Sequence, residues 1–280
     1  MSTVYLKRFM IVALLAATIP VYAAVPDGGE GPKDDGTPTV AGLAAPPTDA
    51  AAAEARGNEL FSKLVERNDD RTRRLERFTG TREYELRNDK DQLSAREVVR
   101  VEFHAPDSKS FQTVSEQGSK WIRKFVFQGL IASESEASSG REHRDSSITP
   151  LNYSFRYLGE QELEGQHCYV VYALPKRVDK YLFEGTVWID SRDFAVAKID
   201  GHPAKNPSFW IKRVNWVRRY GRVGDFWLPQ KDVTYTDVKI FGRKKLIISY
   251  EDYVVNPAQT VRKQAERNPA DSAAAVTRSH

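Results

Sequence analysis

The sequence predicts an α+β fold: a strongly curved antiparallel β-sheet of about ten strands, bent into a half-barrel, with helices covering its concave face. Three observations lead there. Extended segments follow one another from Asn152 to Val255 with no convincing helix between them. Their connections are short, which requires antiparallel neighbours. The same stretch holds 19 of the chain's 30 aromatic residues, enough to suggest a sheet face that lines a binding cavity.

At the amino terminus, Lys7 and Arg8 precede the apolar run Phe9 to Ala17, and Pro20 breaks it ahead of Val21-Tyr22-Ala23. This charged, apolar and small-residue order is that of a secretory signal peptide, residues 1–23, with cleavage expected near Ala23. The apolar core falls short of the roughly 20 residues that span a bilayer. No cysteine follows it, so a lipid-modified mature terminus is not expected. Residues 24–53 are rich in Ala, Pro, Gly and Asp, and residues 257–280 in Ala, Arg and Ser. Neither segment buries enough apolar surface to offset the entropy of ordering, so both read as disordered linker and tail. The remaining segment, 54–256, fits one domain.

Within that domain, Leu60, Phe61, Leu64, Val65 and Leu75 recur at helical spacing among Glu, Lys and Arg, predicting an amphipathic helix over 54–78. Asn68-Asp69-Asp70 weakens its middle, where a break is expected. Three strands follow, over Thr79 to Leu86, Arg96 to Phe103 and Phe111 to Glu116. Gln117-Gly118-Ser119 makes a turn with Ser119 as helix N-cap. Trp121, Ile122, Phe125, Val126, Gly129, Leu130 and Ala132 then form a second helix, apolar round much of its circumference and so buried or laid across the sheet. Ser138 to Thr149 is a polar loop.

The later strands begin with Tyr153 to Leu158 and, after a turn at Gly159 to Gln166, Cys168 to Leu174, apolar on both faces. Tyr181 to Asp190 and Phe194 to Asp200 form a hairpin about Ser191-Arg192-Asp193. Phe209 to Tyr220, Phe226 to Val238 and Leu246 to Val254 complete the set. The candidate cavity residues are Trp121 and Phe125 on the helix, with Phe183, Val187, Trp188, Ile189, Trp210, Val214 and Trp216 on strands. Alternation alone does not decide which set points inward.

Net charge is only +4, from 42 Lys and Arg against 38 Asp and Glu, which gives no argument for nucleic acid. A local basic concentration includes Lys212, Arg213, Arg218 and Arg219. It reads as a solvated strand face or as a contact for anionic lipid headgroups.

The five histidines, His104, His143, His167, His202 and His280, include no pair at a metal-ligand spacing. There is no Gly-rich phosphate loop and no Gly-x-Ser-x-Gly elbow. Cys168, the single cysteine, excludes an intramolecular disulfide and reads as a buried core thiol. No catalytic residue, metal or cofactor is therefore expected. His143 with Asp145 is the best pair for an envelope hydrolase.

Six segments carry a resemblance: Asn152-Tyr153-Ser154-Phe155, Cys168-Tyr169-Val170-Val171, Gly185-Thr186-Val187-Trp188-Ile189-Asp190, Asn206-Pro207-Ser208-Phe209-Trp210, Asp225-Phe226-Trp227-Leu228-Pro229 and Val238-Lys239-Ile240-Phe241-Gly242. From about Phe78 to Val255 the chain resembles exported bacterial outer-membrane lipoprotein-sorting proteins. At greater distance it is similar to the LolA and LolB carriers and the amino-terminal domain of RseB. The resemblance implies a half-barrel closed by helices around an apolar cavity for acyl chains, and it supplies no catalytic residue. The expected function is a non-catalytic periplasmic carrier or sensor of lipid or lipoprotein acyl chains. The alternative is an envelope protein-interaction domain that uses a sheet edge or an aromatic rim.

Overall fold

The computed structural model describes residues 49–106, 108–137, 148–179, 182–206, 209, 211–239 and 242–257. The segment expected as signal, most of that expected as linker, the stretch beyond 257, the loop pair His143 and Asp145, and Trp210 lie outside them.

The described chain opens with α1 (Ala50–Arg74), capped by the Asp49 carboxylate, which accepts from the Ala51 N–H at 3.0 Å. Its apolar stripe, Leu60, Phe61, Leu64 and Val65, is buried. The expected break at Asn68-Asp69-Asp70 does not occur. Arg71, buried on the same stripe, donates to the carbonyls of Asp193 and Phe194, so tertiary contact holds the helix where local propensity is weakest.

Three strands follow: β1 (Arg77–Arg87), β2 (Leu93–His104) and β3 (Ser108–Gly118). The second helical segment is built from α2 (Lys120–Ile122), a π-helical turn over Arg123–Phe127, and α3 (Gln128–Ala137). Ser119 caps it, its hydroxyl accepting from the Ile122 N–H at 3.4 Å.

Seven more strands complete the sheet: β4 (Tyr153–Leu163), β5 (Gln166–Pro175), β6 (Phe183–Asp190), β7 (Val196–Pro203), β8 (Ile211–Val223), β9 (Phe226–Val238) and β10 (Gly242–Val255). The turn expected from Gly159 to Gln166 is strand for most of its length. The register shifts between Tyr157 and Gly159, Gly159 takes φ 126°, and pairing with β5 resumes through Leu163. A bulge, not a turn, is what the glycine supplies. The β6–β7 turn runs two residues further than expected, with Phe194 at φ 47°.

All ten strands form one antiparallel sheet in the order β3-β2-β1-β10-β9-β8-β7-β6-β5-β4. Its outer strands β3 and β4 are not joined, so the sheet is open.

Register partners share a face. Phe155, Ala173, Gly185, Gly201, Trp216, Thr234, Leu246, Leu86 and Ala95 are partners in succession from β4 to β2. The row passes through two apolar clusters, which therefore lie on the same, inner face. One joins Leu60, Phe61 and Leu64 of α1 to Phe155, Val171, Phe183, Val187, Ile189 and Trp216. The other joins Val126, Phe127 and Leu130 of the second helical segment to Tyr84, Leu86, Val99, Leu246 and Ile248. Glycine is required in the middle of the row: a Cβ on Gly185 would stand 2.3 Å from the Asp200 carbonyl oxygen. The bulk is supplied by neighbours, with Phe183 edge-on to Trp216 at 5.4 Å between ring centroids.

Candidate functional site

The two helical pieces occupy opposite flanks of the inner face. α1 lies along β4, close enough that a Cβ on Gly57 would stand 2.4 Å from the Phe155 carbonyl oxygen, and Phe61 stacks on Phe155 at 3.6 Å and 8°. The second segment lies along β2 and β3. Between the flanks run β8 and β9, whose inner side chains are Val214, Trp216 and Arg218 facing Thr236, Thr234 and Asp232.

Five of the nine cavity candidates meet on this inner face. Phe183, Val187 and Ile189 line the floor under α1, and Val214 and Trp216 stand on the middle strip. Trp188 points the other way, into a cluster with Leu158, Cys168, Val170 and Tyr172, because successive strand residues alternate sides. There its indole N–H donates to Gln161 at 2.8 Å and Lys198 lies 4.2 Å over its ring. Trp121 begins the second helical segment and is 36% exposed, at the surface rather than on the floor. Phe125 belongs to the π-helical turn, and its side chain, like Trp210, lies outside the described residues.

Of the polar groups on the strip, Arg218 was expected as a headgroup contact, whereas Asp232, Thr234 and Thr236 were not among the expected site residues. Arg218 and Asp232 form a two-point ion pair, Nε to Oδ1 and Nη2 to Oδ2, both at 2.7 Å. Burial disfavours the Arg218 charge, but Asp232 more than offsets that, and the guanidinium holds its proton more tightly than usual. The Tyr250 hydroxyl donates to Asp232 Oδ2 at 2.8 Å, and the Arg82 guanidinium lies 4.8 Å over the Tyr250 ring. Beside this network, Trp216 Nε1, Thr234 Oγ1 and Thr236 Oγ1 are buried without a hydrogen-bond partner among the described residues. At the β2 flank, Glu97 accepts from the Thr113 hydroxyl at 3.2 Å through Oε1, while Oε2 is buried without a hydrogen-bond partner among the described residues. Burial raises its pKa, helped by nearby Glu116 and opposed by Arg123.

The basic candidates separate. Lys212, Arg213 and Arg219 are exposed, whereas Arg218 is buried in its ion pair and presents no surface charge. Arg219 pairs with Glu164, and Arg213 faces Asp237 across the ladder, itself 2.8 Å from Arg243. The outer surface around β8 thus mixes basic residues of β8 with acids of β9 and the β4–β5 turn.

For chemistry, the Cys168 thiol is wholly buried, and burial pushes it up to about 12, with Asp190 and Glu162 adding to the shift. Such a thiol makes a poor nucleophile. Among the described residues no three His, Cys, Asp or Glu side chains are grouped to hold a metal ion.

No protein-family model matches the chain, and no curated protein does. Solved structures do. The chain is similar to an outer membrane lipoprotein-sorting protein domain from Vibrio parahaemolyticus, at 14% identity and TM-score 0.38 over 73% of this chain and 94% of that one. It is similar to a LolA superfamily protein from Nitrosomonas europaea, at 10% identity and TM-score 0.34 over 69% and 91%. MucB, in the Pseudomonas aeruginosa MucA/MucB complex, matches at 12% identity and TM-score 0.28 over 70% and 93%.

Proposed function

We propose that this protein is a periplasmic carrier or sensor that holds the acyl chains of a lipid or lipoprotein on the inner face of its sheet and alters no covalent bond. The observation that carries the reading is the division of that face: apolar floors at both flanks, each topped by a helix, with the β8–β9 strip between them. The export signal read in the sequence supports the compartment.

The strip is closed over, with Val214 at 1% and Trp216 at 4% exposure, so an acyl chain enters only when a flank lifts. The second helical segment is the one to lift. It has a three-residue α-helical start and a π-helical turn before its last ten residues, a sign of weak local structure. α1, by contrast, is anchored through Gly57, Phe61 and Arg71. Each buried methylene contributes about 0.8 kcal/mol, so about ten of them reach micromolar affinity before ordering costs.

The test is titration with a dansyl-labelled undecanoic acid. Saturable, blue-shifted emission near one probe per chain is expected. The absence of saturation at concentrations well above micromolar overturns the reading.

A second reading, a protein-interaction domain, draws on the long exposed edge strand β3, where Val114 is 60% exposed. Peptide binding that survives blockage of acyl binding would favour it.

A further inference from the structure

Thr234 and Thr236 are 1% and 4% exposed, Trp216 is 4% exposed, and the polar atom of each lacks a partner among the described residues. Each such atom carries an uncompensated desolvation cost. Valine in place of either threonine would keep the shape and remove the cost. Three of these groups lie together: Trp216 and Thr234 are direct register partners, and Thr236, partner of Val214, is the next inward residue on β9. Direct cross-strand partners have Cβ atoms about 4.5–5.5 Å apart, so Trp216 and Thr234 are immediate neighbours on one face.

The neighbouring charges do not fill the gap. Arg218 donates to Asp232 through Nε and Nη2, and Tyr250 donates to the same carboxylate. The vacant positions are the indole N–H, a donor only, and two hydroxyls, each donor or acceptor. With Arg218 neutralised by Asp232, the Trp216–Thr234 end offers neutral donors only and suits an uncharged acceptor, while Lys244, the register partner of Thr236 on β10, supplies a cation beside the trio, at its headgroup end. A plain hydrocarbon would leave all three groups unsatisfied. The acceptor must also carry an apolar extension, because Phe183 is edge-on to Trp216 and the floor continues through Val187.

We infer that Trp216, Thr234 and Thr236 form a polar anchor for the carbonyl of an acyl ester or amide whose chain lies on the adjoining apolar floor. Trp216 Nε1–H and the Thr234 hydroxyl donate to the carbonyl oxygen, and Thr236 bonds the next polar atom of the headgroup. This rests on the acyl-binding reading and narrows it: bare hydrocarbon or an alkyl ether is a poor ligand.

The experiment measures displacement of the dansyl probe from the full mature chain by 1-dodecanoyl-glycerol, by its ether counterpart 1-O-dodecyl-glycerol, and by N-dodecanoyl-glycinamide. The comparison is repeated with Thr234→Val/Thr236→Val and with Trp216→Phe, each checked by its thermal midpoint. The wild type should prefer a carbonyl ligand to the ether by about tenfold, one good hydrogen bond's worth. Both variants should bind the ether as the wild type does and lose the preference, and the double valine should melt higher without ligand. Preference for the glycerol ester identifies a glycerolipid source, and preference for the amide an N-acylated one; either supports the anchor. Equal binding of ester, amide and ether by the wild type, or a preference unchanged in both variants, overturns the anchor and leaves acyl binding standing. Failure of every ligand and of the probe itself overturns both.

Discussion

Arg218 meets Asp232 through two parallel hydrogen bonds of 2.7 Å, with the two side chains only 8% and 4% exposed, in the middle of the inner face. Removing one member leaves the other as an uncompensated buried charge. Asp232→Ala should therefore cost about 3–5 kcal/mol, while Arg218→Met/Asp232→Leu should recover most of the loss. Urea denaturation of the single and double variants decides it; a double variant as unstable as the single one would show that the pair stabilises in itself.

The fit of α1 on β4 predicts a destabilising Gly57→Ala. Alanine is favoured over glycine inside a helix by about 1 kcal/mol. Here its Cβ would stand 2.4 Å from the Phe155 carbonyl oxygen and 2.7 Å from the carbonyl carbon, and backbone does not yield cheaply. Overpacking of this kind costs about 1–3 kcal/mol, so the net change is a loss. Equilibrium denaturation that shows a gain would mean that the helix is not seated on this strand.

Glu97 predicts an inverted pH dependence. Its pKa is raised by burial, so the folded chain binds the proton more tightly than the unfolded chain does. Below the unfolded value, about 4.3, both states are protonated and nothing is lost; above the folded value the fold carries a buried charge with Oε2 unpartnered. Glu97→Gln should accordingly stabilise at pH 7 by about 1 kcal/mol, with the gain vanishing near pH 4. Thermal melts at the two values test it, and a variant less stable than wild type at pH 7 would contradict it.

On the outer surface, Lys212 and Arg213 are exposed, while Arg219 is committed to Glu164. If this patch touches anionic headgroups, Lys212→Gln/Arg213→Gln should weaken binding to phosphatidylglycerol vesicles about tenfold at low salt, and Arg219→Gln should change little. Co-sedimentation reads this directly; equal binding by all variants removes the patch from the account.

Much of the fold was legible because its strands alternate and its helices carry apolar stripes. The second helix follows from spacing and its Ser119 cap from turn chemistry, and period two puts Phe183, Val187 and Ile189 on one face without saying which face points inward. What was illegible depended on distant partners. The continuity of α1 through Asn68-Asp69-Asp70 rests on Arg71 reaching the β6–β7 turn. Arg218 reads as one more surface cation beside Arg219 until Asp232, fourteen residues on, is brought opposite it. Gly159 reads as a turn because a bulge and a turn use the same residue for the same reason. Trp188 was separable from its neighbours by period two alone. Thr234 and Thr236 gave no signal, since threonine is an ordinary strand residue until its hydroxyl is buried without a partner.

The most direct measurement is mass spectrometry of the organic-solvent extract of the folded protein, purified without detergent from an exporting host. An acylated molecule recovered at close to one per chain is the predicted result. A folded protein whose extract holds no acyl compound above that of a control protein purified alongside would contradict the account.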